Sequence, residues 1–187
     1  MQAELKPRKR FAAEVAEIGR RTRHHIDEAV RAEGDDGKEI VLKILNDALA
    51  TQVLYVHRYR QHYDRAAGNK VATIAEEFLK HAIREQHHVY RIAERIVQLG
   101  GVPDFRRDRS EYLERQELID MIREDLIAQR IAIESYAEIL RYLSDGDTES
   151  RRLIEDIVAL EAKHTVKLNG LIDNLAEGAP KDSPPGS

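Results

Sequence analysis

The sequence predicts an all-α fold, a bundle of four long helices with one long crossover and an extra helix in front, on three observations. Only 10 Gly and 5 Pro occur among 187 residues, several of them in the last stretch. Ala, Leu, Ile, Glu and Arg dominate the rest, which favours helix on intrinsic propensity. Apolar residues recur with a period near 3.6 through four long runs, each closed by glycine, proline or aspartate breakers. Two of those runs carry a Glu-x-x-His step, Glu85 to His88 and Glu161 to His164. A spacing of three puts carboxylate and imidazole side by side on one helical face.

The first helix is expected from about Arg8 to Ala32, with Phe11, Val15, Ile18 and Ile26 at helical spacing, and Gly34-Asp35-Asp36-Gly37 ends it. From Lys38 to Ala66 the apolar positions Leu45, Ala48, Leu49, Tyr55, Val56 and Tyr59 mark a long helix closed by Gly68-Asn69. Val71 to Leu99 carries Ile74, Phe78, Ala82, Val89 and Ile92 on one face before Gly100-Gly101-Val102-Pro103 breaks it. The short joint makes these two an antiparallel pair. A charged, irregular stretch leads to a third run, Glu111 to Leu143, through Leu118, Ile122, Leu126, Ile133 and Tyr136. Ser144-Asp145-Gly146-Asp147 turns the chain into a fourth, ending near Leu175, with Ile154, Ile157, Val158, Thr165 and Leu168 inward. The expected division is 1–36 for the leading helix and linker, 37–176 for the bundle, and 177–187 for a disordered tail with nothing to bury.

Composition narrows the function classes. A chain with 42% hydrophobic residues can bury one substantial core. The absence of Cys excludes disulfides, thiolate metal sites and cysteine catalysis, so any metal is held by oxygen and imidazole nitrogen. No apolar run approaches the roughly 20 residues that span a bilayer, and the charged start lacks a signal-peptide core, so a cytoplasmic protein without membrane contact is expected. A net charge of −4 gives no general attraction to nucleic acid. Lys6, Arg8, Lys9 and Arg10 form a small basic cluster that reads first as a solvated terminus and second as a DNA contact.

The polar residues on the apolar faces carry the chemistry. Glu85 sits among Phe78, Ala82, Val89 and Ile92, and Glu161 among Ile154, Ile157, Val158, Thr165 and Leu168. Both glutamates therefore point inward, where an uncompensated carboxylate costs several kcal/mol or takes up a proton. By the same arithmetic Gln52 and Gln129 point inward from the first and third long helices, giving each helix of the bundle one long polar residue inside. The interval from Gln52 to Glu85 nearly equals that from Gln129 to Glu161, a pseudo-two-fold pattern. One carboxylate from each of two helices and a Glu-x-x-His from each of the other two is how bundles hold two metal ions. Here the two lone positions are amides. A metal-free network in which glutamines and histidines satisfy the glutamates is the competing account.

With these motifs the chain resembles a bacterioferritin over about Glu39 to Leu175, including Leu45-Asn46-Asp47-Ala48-Leu49 and Leu99-Gly100-Gly101-Val102-Pro103. The resemblance implies a ferritin-like four-helix bundle that assembles into a homo-oligomeric shell, binds two irons in each subunit, oxidises Fe(II) with oxygen or peroxide, and stores the ferric product. It implies Glu85 and Glu161 as bridging ligands, His88 and His164 as caps on one metal each, Gln52 and Gln129 at the two remaining ligand positions, and Tyr59 as a nearby electron donor. The family has Glu where this chain has Gln52 and Gln129, so two ferrous ions would leave the site at about +2 overall, and ferric iron prefers anionic oxygen ligands. His57, His81 and Asp125 lie near the same faces. The family's haem ligand, a Met between Glu and His, is Gln86 here, so haem is not expected in that manner. Lys80, His81 and Arg84 replace acidic or metal-binding positions that the family uses toward its cavity. Two other functions compete with iron storage: a diiron oxidoreductase of small oligomeric state, and a metal-poor shell or DNA-protecting scaffold.

Overall fold

The computed structural model describes residues 11–31, 37–68, 72–105, 117–143 and 147–177. Five helices account for nearly all of them: α1 (Phe11–Arg31), α2 (Gly37–Gly68), α3 (Ala72–Gln98), α4 (Leu118–Tyr142) and α5 (Thr148–Glu177). There is no strand among the described residues. The basic cluster Lys6 to Arg10, the Gly34-Asp35-Asp36 break, the Glu111 start of the third run, the Ser144-Asp145-Gly146 turn and the tail from Gly178 lie outside the described residues.

The expected pairing is present. α2 packs along α3 and α4 along α5, and α2 against α4 and α3 against α5 close the bundle. Its core is the set of inward apolar positions, among them Leu45, Leu49, Tyr55 and Tyr59 of α2, Phe78 and Ile92 of α3, Ile122 and Tyr136 of α4, and Ile154, Ile157 and Leu168 of α5. α1 lies against α4 and α2 and buries Phe11, Val15 and Thr22.

Local chemistry sets the helix ends. At the end of α3, Gly100 takes φ +76°, and the amides of Gly100 and Gly101 donate to Val97 O (2.8 Å) and Ile96 O (2.9 Å). This is a Schellman stop, which needs a residue that tolerates the left-handed region. Gly101 serves a different need: a Cβ there would run into the Leu42 side chain, which would have to move aside for the crossover to graze α2. Asn46 then pins the crossover by accepting the Asp104 amide (2.8 Å). At α5, Asp147 is the N-cap and accepts the Ser150 amide at 3.0 Å, while Arg95 of α3 donates to it at 2.7 Å.

Candidate metal centre

The six residues singled out from spacing converge in the middle of the bundle. Gln52, Glu85 and Gln129 have no exposure, and His88, Glu161 and His164 are buried. Each helix of the bundle contributes because its polar residue occupies a slot in an otherwise apolar stripe.

The two carboxylates are shared between the two imidazoles. Glu85 presents Oε2 to His88 Nδ1 (3.3 Å) and Oε1 to His164 Nδ1 (3.4 Å). Glu161 presents Oε1 to His88 Nδ1 (3.7 Å) and Oε2 to His164 Nδ1 (3.6 Å). The amides complete the ring. Gln52 Nε2 donates to Tyr136 OH (2.9 Å) and to Glu161 Oε1 (3.2 Å), and its Oε1 lies 3.3 Å from His88 Nδ1. Gln129 Nε2 donates to Glu161 Oε2.

Burial and close charges pull the protons apart. Burial alone raises carboxylate pKa values, yet the flanking His164 and His88 hold Glu161 well below the usual carboxylate range. Glu85 moves up, through burial and the neighbouring Glu161 charge. Burial would strip His88 of its proton, but Glu161 and Glu85 outweigh it and raise its pKa to about 9. His164 is raised on the same balance. The cluster thus binds protons where a divalent cation would displace them.

The donor set fits such a cation. Glu85, His88 and Glu161 offer ligand atoms within 4.8 Å of one another. Metal bonds of about 2.0–2.2 Å to nitrogen and oxygen place ligand atoms about 3–3.5 Å apart. Glu85 Oε1, His88 Nε2, both ring nitrogens of His164 and Gln129 Oε1 are buried without a hydrogen-bond partner. Unpartnered polar atoms at this density are costly in a core unless something binds them.

Around this set stand aromatic and charged groups. The fully buried Tyr59 ring lies 5.1 Å from that of His164, and burial keeps its phenol protonated. His81 is buried and stacks on His164 with centroids 3.7 Å apart. Asp125 is also buried, 2.9 Å from Arg58 Nε and 2.6 Å from His62 Nε2. His57 is exposed, so proximity on the helical wheel does not bring it to the centre. Gln86 is half-buried and donates to Tyr90 OH at 3.4 Å, and Lys80 pairs with Glu77 at 2.7 Å. The sequence reading passed over Arg58, His62 and the hydroxyl of Tyr136. Their signal was present: Arg58 falls three residues after Tyr55 and four before His62, on the same inward stripe.

Comparison with known proteins bears on the fold. A family model described as the ferritin-like domain matches residues 42–177. Bacterioferritin of Desulfovibrio desulfuricans is 28% identical over 131 residues, 70% of this chain and 73% of its own. Bacterioferritin of Brucella melitensis is 29% identical over 143 residues, 75% of this chain and 88% of its own. The fold is similar to the crystal structure of a Desulfovibrio desulfuricans bacterioferritin, solved with its diiron site in different catalytic states, at TM-score 0.73 and 24% identity, covering 80% of this chain and 88% of that one.

Proposed function

The chain belongs to the ferritin-like domain family, and on that premise we propose that it is a bacterioferritin-like iron-storage and detoxification protein, oxidising Fe(II) at a dinuclear centre inside each subunit. The observation that carries this reading is the sharing of Glu85 and Glu161 between His88 and His164, one carboxylate oxygen to each imidazole. Two carboxylates so placed suit two cations held side by side.

In this reading Glu85 and Glu161 bridge, His88 and His164 each hold one iron, and Gln52 and Gln129 offer amide oxygens. Iron is the substrate and, while bound, supplies the electrons that reduce oxygen or peroxide. The residues do the rest. His88 and His164 release protons as iron enters, and Tyr136 fixes the Gln52 amide. Tyr59 stands in contact with His164 as an electron source. Neutral amides leave the centre less negative than a four-carboxylate one, which favours Fe(II) over Fe(III) and predicts slow turnover. The bacterioferritin relatives support a homo-oligomeric shell as the vessel for the product.

One observation favours a second reading, a metal-poor scaffold: both oxygens of Glu161 already accept amide hydrogens from Gln52 and Gln129. A single experiment separates the two. Metal-free protein receives Fe(II) under argon, bound iron is counted, and oxygen is then admitted while ferric absorbance is followed. The ferroxidase reading expects about two irons per chain and oxidation faster than in buffer. No stoichiometric binding, with oxidation at the buffer rate, overturns it in favour of the scaffold.

A further inference from the structure

The two halves of the centre are built alike in their ligands and differently in their supports. His88 is steadied by a polar neighbour, the Gln52 amide oxygen 3.3 Å from its Nδ1, and among the described residues no aromatic ring stacks on it. His164 has no hydrogen bond at either nitrogen. Its ring instead packs against two other rings. His81 stacks on it at 3.7 Å with the planes 25° apart, and Tyr59 lies 5.1 Å away.

His81 is itself fixed. It comes from α3, one turn before Glu85, and has no exposure. Arg84 lies with a guanidinium nitrogen 3.3 Å from its Nδ1. A guanidinium only donates, so this nitrogen is the acceptor, and the neutral ring carries its proton on Nε2. Tyr59 also contacts His81, with centroids 5.6 Å apart. The three rings of His81, Tyr59 and His164 form one packed group, anchored through Arg84 at its outer edge.

An imidazole that ligates a metal needs its ring plane set, and a hydrogen bond to the second nitrogen usually sets it. Neither His88 nor His164 has that bond at Nε2, and for His164 the stack takes its place. We propose that His81 is the positioning residue for the His164 half of the centre, its stacked ring holding His164 Nδ1 between Glu85 Oε1 and Glu161 Oε2, so that binding of the second metal ion depends on it. This inference rests on the dinuclear reading and goes beyond it, because it assigns unequal affinities to two positions that share the same carboxylates. His81 does not touch the ions. It acts through His164.

The test titrates metal-free protein with Co(II) under argon, following bound metal by dialysis and coordination geometry by visible absorption. Wild type binds two ions. His81→Ala keeps the first ion at wild-type affinity and weakens the second about 10- to 100-fold, the range for lost outer-shell support. His81→Phe keeps a ring to stack and restores the second ion, which a general packing defect would not predict for one variant alone. Arg84→Ala, at a half-buried position, weakens the second ion by a smaller factor and leaves the fold intact by circular dichroism. Equal loss of both ions in His81→Ala, or no loss of either, overturns the assignment. Wild-type protein that binds no Co(II) and no Fe(II) overturns the dinuclear reading itself, a result visible before any variant is made.

Discussion

At the scale of single residues, the inward polar positions were legible because a 3.6-residue period needs no partner to be read: Gln52, Glu85, Gln129 and Glu161 each interrupt an apolar stripe, and all four are buried. Long-range pairing was not legible. Arg58 and Asp125 meet across 67 positions of sequence, and nothing in either local pattern names the other. The amides make an opposite prediction for the metal-free and metal-loaded states. Gln129→Glu replaces a donated hydrogen bond to Glu161 with a second buried carboxylate. In metal-free protein it is expected to cost about 2–4 kcal/mol, read from urea denaturation. With Fe(II) or Zn(II) present the same variant should bind metal more tightly than wild type and recover the loss. Destabilisation of equal size in both states would mean that Gln129 does not face the metal. His88 gives a pH prediction. Its pKa rises from 6.5 to about 9 on folding, so its contribution to metal-free stability is complete below pH 6.5 and disappears as pH climbs through 9. Melting temperature should fall over that window, and His88→Ala should flatten the fall.

At the scale of elements, helix ends were readable where breakers have a stereochemical reason, and partners were less so. Gly100 and Gly101 end α3 for separate reasons, one conformational and one steric. Gly100→Ala should cost about 1–2 kcal/mol for a left-handed alanine. Gly101→Ala should cost about 1–3 kcal/mol by driving Cβ into Leu42, and Leu42→Ala should relieve the second variant but not the first in urea midpoints. The leading helix was visible as an amphipathic stretch, yet its docking site was not, since a stripe does not say what it packs on. The structure places it in the angle of α2 and α4. Phe11 stands edge-on to Tyr55 (5.2 Å) under the Arg58 guanidinium (4.9 Å), and Arg21 (2.5 Å) and Thr22 (3.2 Å) grip the buried Asp47. Burial raises the Asp47 carboxyl and Arg21 works against that shift. α1 is therefore keyed to this bundle by both shape and charge.

At the scale of the whole molecule, the apolar residues left outside the core bear on assembly. Ile83, Tyr90 and Val97 of α3 are 63%, 62% and 58% exposed. They recur every seven residues, so they form one stripe along the helix. Leu79, at 36%, extends it by a turn. Single exposed apolar residues need no explanation, but a stripe of large ones on a helix whose other face is packed calls for a cover. Ile83 and Val97 lie symmetrically about Tyr90. Two copies related by a two-fold axis through that residue would set Ile83 of one against Val97 of the other, the self-complementary match that an isologous contact requires. A shell built from such pairs would lose its first step of assembly if a charge were placed at the centre. Tyr90→Glu should therefore shift the protein to smaller species in sedimentation velocity while leaving helicity and metal stoichiometry unchanged. The proposed ligands of each centre come from a single chain, so a dissociated subunit should still bind iron and lose only the ability to retain the oxidised product in a soluble form. Wild-type protein that sediments as a monomer would remove the shell, and storage with it, while leaving oxidation at the centre to be judged by its own assay.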